Sequence, residues 1–130
     1  MQTGQRDPEL LLPLTPAVFH ILLSLVGGDH HGYGIMQDVN SFTEGKLRLG
    51  PGTLYRSIKQ MLALGLIIEG DERPDPALDD QRRRYYRLTD FGQCVLTAET
   101  ERLEHVLQQA RAKQRGFAQN QQPAGEAAHG

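Results

Sequence analysis

Apolar and polar positions alternate with helical spacing over most of the chain. From Gly50 to Leu62, Leu54, Ile58, Met61 and Leu62 fall at i, i+4, i+7 and i+8 and form one apolar stripe. Thr53, Arg56 and Gln60 take the opposite face, with Tyr55 and Lys59 on its flanks. Gly50-Pro51-Gly52 is a sharp turn ahead of this helix, and proline is tolerated in a first helical turn, where its missing N–H would be unpaired anyway. Upstream, Thr15-Pro16 reads as a hydroxyl cap followed by proline, Val18, Ile21, Leu22 and Leu25 repeat helically, and Gly27-Gly28 ends the run. Asp29 to Gly34 reads as a turn. A second helix from about Tyr33 to Thr43 turns Ile35, Met36, Val39 and Phe42 inward. The helix from Thr53 stops at Gly65. The run Leu66-Ile67-Ile68-Glu69 is strand-like.

A charged, proline-containing loop, Asp71 to Gln81, leads to a second strand, Arg82 to Leu88. Its alternation sets Tyr86 and Leu88 on one face and Arg83, Tyr85 and Arg87 on the other. Thr89 caps a last helix running to about Lys113, with Leu96, Leu103, Val106, Leu107 and Ala110 along one side. A helix this long outruns a small core, so its seam is expected to meet another chain; the alternative is that it folds back on its own domain. The predicted organisation is an N-terminal arm (1–14, flexible), a helical unit with a β-hairpin (15–88), a C-terminal helix (89–113) and a Gln-, Ala- and Gly-rich disordered tail (114–130). The fold class is mainly α with a small β-hairpin: three helices followed by two strands, which is a winged helix-turn-helix, plus a long C-terminal dimerisation helix.

Charge sharpens this reading. The net charge of -2 does not announce a nucleic-acid partner, but its distribution is uneven. Met1 to Gly45 has one basic residue against five acidic. Lys46 to Arg87 has nine against six, and Leu88 to Gly130 four against five. The positive third holds the helix with the polar front. The single cysteine, Cys94, excludes an internal disulfide and a multi-cysteine metal site. His30-His31 lacks partners at ligand spacing, so no metal or cofactor is expected. Nor does any Ser/His/Asp or Cys/His set, phosphate-cradling loop or paired-carboxylate pocket stand out, so an enzyme is not expected. No apolar run reaches the length of a membrane span, and a cytoplasmic location without membrane partner is expected.

The residues His31-Gly32-Tyr33-Gly34-Ile35, Gly50-Pro51-Gly52-Thr53-Leu54-Tyr55-Arg56, Gly65-Leu66-Ile67 and Arg83-Arg84-Tyr85-Tyr86-Arg87-Leu88-Thr89-Asp90-Phe91-Gly92 resemble, in order and spacing, the PadR-like transcriptional regulators of bacteria. The resemblance spans residues 15–113. It implies a homodimer joined through the C-terminal helix, sometimes with the N-terminal helix, that binds double-stranded DNA at a near-palindromic operator, usually to repress. It places Gly52, Thr53, Tyr55 and Arg56 at the groove and Arg83 and Arg84 on the wing; helical geometry adds Lys59. It also implies a small aromatic effector at the dimer seam. The chain has no Trp for a stacking pocket between tryptophans, and Asp71, Glu72, Asp75, Asp79 and Asp80 in the wing loop would repel phosphate. A protein-binding winged helix is the rival reading; it would show little salt-dependent affinity for DNA.

Overall fold

The computed structural model describes residues 6–70 and 84–121. They divide into two compact units, residues 1–99 and 100–130. In the first unit the elements are α1 (Pro16–Ser24), β1 (His30–His31), α2 (Gly32–Phe42), α3 (Pro51–Ala63), β2 (Ile67–Glu69), β3 (Tyr85–Leu88) and the start of α4 (Asp90–Gln121). The remainder of α4 is the described part of the second unit.

Local chemistry sets the helix ends. Thr15 caps α1: its hydroxyl accepts the Val18 N–H at 3.2 Å, and Pro16 takes the first helical position. α2 is capped by an imidazole, His31 Nδ1 accepting the Gly34 N–H at 2.9 Å. α3 starts at Gly50 with no side-chain cap and ends at Gly65, whose φ of 77° is a left-handed conformation that costs glycine little. Thr89 does two jobs. Its hydroxyl accepts the Gly92 N–H at 2.9 Å and donates to the Gly65 carbonyl at 2.6 Å, so the start of α4 is tied to the end of α3.

The core follows from the stripes. Ile21, Leu22 and Leu25 of the α1 segment, Ile35 and Val39 of α2, and Leu54, Ile58 and Met61 of α3 close over Leu66, Ile67, Tyr86, Val95 and Leu96. At about 25 cal/mol per Å² of apolar surface removed from water, each such side chain contributes roughly 1.5–3 kcal/mol, an upper estimate because the unfolded chain already buries some of it.

Several sequence expectations change. The sheet has three strands in the order β1-β3-β2, all antiparallel, not a bare hairpin. The turn expected at Asp29–Gly34 contains β1: His30 pairs with Tyr86 and His31 with Tyr85, leaving β3 central. The arm expected to be loose includes a 3₁₀ turn, Pro8–Leu11, capped by Asp7. The Arg6 guanidinium lies 4.0 Å from the Phe91 ring centroid, and the Leu14 N–H donates to the buried Glu99 carboxylate at 3.0 Å. Phe42, expected inside, is 72% exposed: Ile35 and Val39 fill the core, and Phe42 falls beyond them at the end of α2. Helix α4 runs to Gln121, past the boundary expected at Lys113, because Gln114, Arg115, Ala118 and Gln119 are good helix formers with no proline before Pro123. Residues 122–130 lie outside the described residues.

Candidate nucleic-acid interface

Burial on α3 divides its two faces cleanly. Leu54, Ser57, Ile58 and Met61 are buried, while Gly52, Thr53, Arg56, Lys59 and Gln60 are exposed. Positions three and four apart share a helix face, so these exposed residues form one continuous front. Among the described residues, the side chains of Thr53, Arg56, Lys59 and Gln60 have no hydrogen-bond or ion-pair partner. The apolar back fixes the front's orientation, because rotating α3 would pull Leu54 and Met61 out of the core. The front therefore offers two cations, a hydroxyl and an amide on a rigid element, which suits phosphate oxygens and base edges.

Tyr55 sits differently from its flanking neighbours. It is half-buried, and a methyl group placed on Gly32 would come within 2.6 Å of its hydroxyl oxygen. Tyr55 thus fills the space that glycine leaves at the start of α2, and sets the approach of α2 to α3. Lys46 and Arg48, exposed on the segment entering α3, add positive charge that sequence reasoning passed over. The signal for them was the basic excess of the middle third.

The wing cations are unequal. Arg83 lies outside the described residues, as does the acidic loop before it. Arg84 pairs across the sheet with Glu69 at 3.3 Å, both side chains about half exposed, so part of its charge is already balanced. Arg87, given no role from sequence, makes a bidentate pair with Asp29: Nε to Oδ1 at 3.0 Å and Nη2 to Oδ2 at 2.9 Å. That pair ties β3 to the turn after α1 and bridges 58 residues of sequence. Burial raises the pKa of the Tyr86 phenol above 10.0, and the nearby Glu69 carboxylate raises it further. Tyr86 therefore keeps its proton to higher pH than an exposed phenol.

The second unit, described by itself, is a helix with an apolar side. Leu103, Val106 and Leu107 are 38%, 45% and 49% exposed, and Ala110 is also exposed. Phe117 continues the seven-residue spacing from Leu103 through Ala110 and is 65% exposed. Leu96 departs from the expected seam. It is buried in the core of the first unit, 4% exposed, because the core reaches one turn further along α4 than the seven-residue spacing suggested.

A three-helix unit with a wing strand pair behind an exposed, cationic third helix defines the winged helix-turn-helix class. The comparisons narrow it. Residues 21–98 match the model of the transcriptional regulator PadR-like family. The transcriptional regulator Rv3488 of Mycobacterium tuberculosis is 30% identical over 101 residues, 78% of this chain and 88% of that one. A transcriptional regulator from Clostridium thermocellum superposes with a TM-score of 0.62 at 24% identity, covering 74% of this chain and 87% of that chain. Bacillus subtilis PadR, solved in complex with operator DNA, superposes with a TM-score of 0.56 at 22% identity over 66% of this chain and 47% of that one. The last two likenesses show the fold. The chain belongs to the PadR-like family of transcriptional regulators.

Proposed function

We propose that this chain is a dimeric, DNA-binding repressor. The observation that carries the reading is the front of α3: Thr53, Arg56, Lys59 and Gln60, exposed without partners among the described residues, above a back that is fully packed. Arg56 and Lys59 supply base-edge or phosphate contacts. Thr53 hydrogen-bonds phosphate or base, and the small Gly52 leaves room for the backbone to approach. Tyr55 positions α3 as much as it contacts DNA. Arg83 and Arg84 add charge at the wing, with Arg84 shared with Glu69. That the Bacillus subtilis relative was solved with operator DNA supports the reading.

Two copies joined through Leu103, Val106, Leu107 and Ala110 would present two α3 fronts to half-sites about one helical turn, 34–36 Å, apart on a near-palindromic operator. A small aromatic effector at the dimer seam would release DNA by altering that separation. The protein is expected to act in the cytoplasm without catalysing a reaction; among the described residues no helix is long and apolar enough to cross a membrane.

Selection of bound duplexes from fragmented genomic DNA, followed by a salt titration of the best site, tests this. A palindromic site whose log affinity falls steeply with log salt is the expected result. Absence of any enriched site, with a flat and weak salt response, would favour the protein-binding rival.

A further inference from the structure

Among the α-helices, α2 alone has a titratable side chain at its cap. Thr15 caps α1, Gly50 stands before α3 and Thr89 caps α4, whereas α2 begins on His31. His31 Nδ1 accepts the Gly34 N–H at 2.9 Å, which requires a neutral ring with its proton on Nε2. An imidazolium donates from both nitrogens and accepts at neither. Protonation therefore removes the cap. It also puts a positive charge at a helix N-terminus, where the macrodipole already concentrates positive charge. The hydroxyl caps of α1 and α4 carry no such dependence.

Gly34 is poorly placed to find another acceptor. It is buried, and both histidine rings crowd it: a methyl group built on Gly34 would collide with the His30 ring and lie 3.0 Å from His31 Cε1. A buried N–H that loses its partner is costly. His31 itself is only partly buried, so solvent protons reach it.

The cap stands where three elements meet. His31 ends β1 and pairs with Tyr85 of β3, whose ring is edge-on at 5.4 Å. The next residue, Gly32, is the seat of Tyr55 from α3, and Arg56 of the exposed front follows Tyr55. A loosened first turn of α2 thus unseats Tyr55 and, through it, the front. The titratable groups around His31 are His30 on β1, ring to ring at 5.4 Å, Asp38 of α2, 3.4 Å from His30 Nε2, Tyr85 of β3 and Tyr55 of α3. The Asp29–Arg87 and Glu69–Arg84 pairs on the same sheet are matched in charge. A protonated His30 gains Asp38 as an ion-pair partner, so acid strengthens that contact while it breaks the neighbouring cap.

We propose that His31 is a proton switch: acid uncaps α2, unseats Tyr55 and lowers affinity for DNA. This deepens the DNA-binding reading and rests on it. The stability supplied by the cap is complete above the ordinary imidazole range, near about pH 6.5, and is lost as pH falls through and below it.

Three measurements on the full chain test it. In NMR spectra of the wild type taken from about pH 8 to about pH 5, the Gly34 amide signal should move together with the His31 ring signals. A His31 ring that stays neutral throughout, or a Gly34 amide that does not follow it, would overturn the switch. His31→Asn supplies a cap that does not titrate. In urea unfolding at one protomer concentration, the folding equilibrium constant of the wild type should fall about fivefold more over that range than that of His31→Asn, the loss of one cap. In duplex titrations at constant ionic strength, wild-type affinity for the selected duplex should likewise fall further on acidification. Parallel curves for the two proteins would overturn the switch and leave the DNA-binding reading standing. His30→Gln should keep the acid response; its loss in that variant would assign the response to His30 and overturn the proposal. A wild-type protein that binds no duplex even at about pH 8, where the imidazole is neutral, would overturn the DNA-binding reading and the switch's effect on DNA with it.

Discussion

Gly92 lies in the first turn of α4, against the backbone of Leu66 just ahead of β2. A methyl group built on it would collide with the Leu66 carbonyl oxygen, and would also lie 2.9 Å from Leu88 Cδ1. The leucine tip can move, but the carbonyl cannot easily do so. Its oxygen accepts the Thr89 N–H at 3.1 Å and lies 3.0 Å from the Thr89 hydroxyl, and Thr89 is the cap of α4. Gly92→Ala therefore has to shift the Leu66 backbone against the start of α4. Overpacking of this kind costs roughly 1–3 kcal/mol. Stretching the Thr89 hydrogen bond adds about 1 kcal/mol. Replacing a helical glycine by alanine returns up to about 1 kcal/mol. The net expectation is a loss of about 1–3 kcal/mol. Gly116, in the same helix, has nothing within 4 Å of an added methyl, so Gly116→Ala should keep the propensity gain, about 0.5–1 kcal/mol, without the clash. Urea unfolding followed by circular dichroism, at one fixed protomer concentration so that any association contributes equally, measures both. Opposite signs are expected for the two alanines. A Gly92→Ala variant as stable as the wild type would refute the close approach of the first turn of α4 to the Leu66 carbonyl.

Other expectations follow from the same geometry. Arg87→Ala should destabilise by about 1 kcal/mol, since the bidentate partner Asp29 is largely buried while Arg87 itself is half exposed and screened; Asp29→Asn combined with Arg87→Ala should then cost little more than either change alone. The buried Tyr86 phenol has a pKa raised in the folded state, so its contribution to stability is complete below pH 10 and declines as pH rises through the folded pKa. Alkaline urea titrations should thus show the wild type losing stability faster than Tyr86→Phe, and parallel curves would refute this. Gly52→Ala meets nothing within 4 Å, so the isolated protein should be as stable or slightly more so, while affinity for the selected duplex should fall as the methyl intrudes on the backbone's approach. Unchanged affinity in a binding titration would remove Gly52 from the interface.

How much of this was legible in the sequence depended on the range of the interaction. The α3 stripe of Leu54, Ile58 and Met61 is written at fixed spacing, and its exposed front followed from it directly. Thr15 and Thr89 were readable as caps because capping is a contact within three residues. Short strands and long-range pairs were not readable. β1 is only His30–His31, too brief to show alternation, and exists because β3 offers it a free edge. The Arg87–Asp29 bridge joins positions with no sequence relation. Periodicity gave the side of a helix but not the depth of its neighbour, so Phe42 was assigned inward and Leu96 outward, each against its burial. The packing of Tyr55 against Gly32 joins positions far apart in sequence, so the helical spacing of α3 showed its groove side and not this contact.

The central claim is that the front of α3 reads DNA, and Arg56 tests it most directly. Titrations of wild type and Arg56→Ala would be made on the selected duplex and on a scrambled one across a range of salt. A base contact predicts a loss of about 1–3 kcal/mol on the selected duplex with relaxed preference at one position; a phosphate contact predicts similar weakening on both, with the salt slope reduced by about one. An Arg56→Ala protein that binds both duplexes as the wild type does, with the same salt slope, would contradict the account.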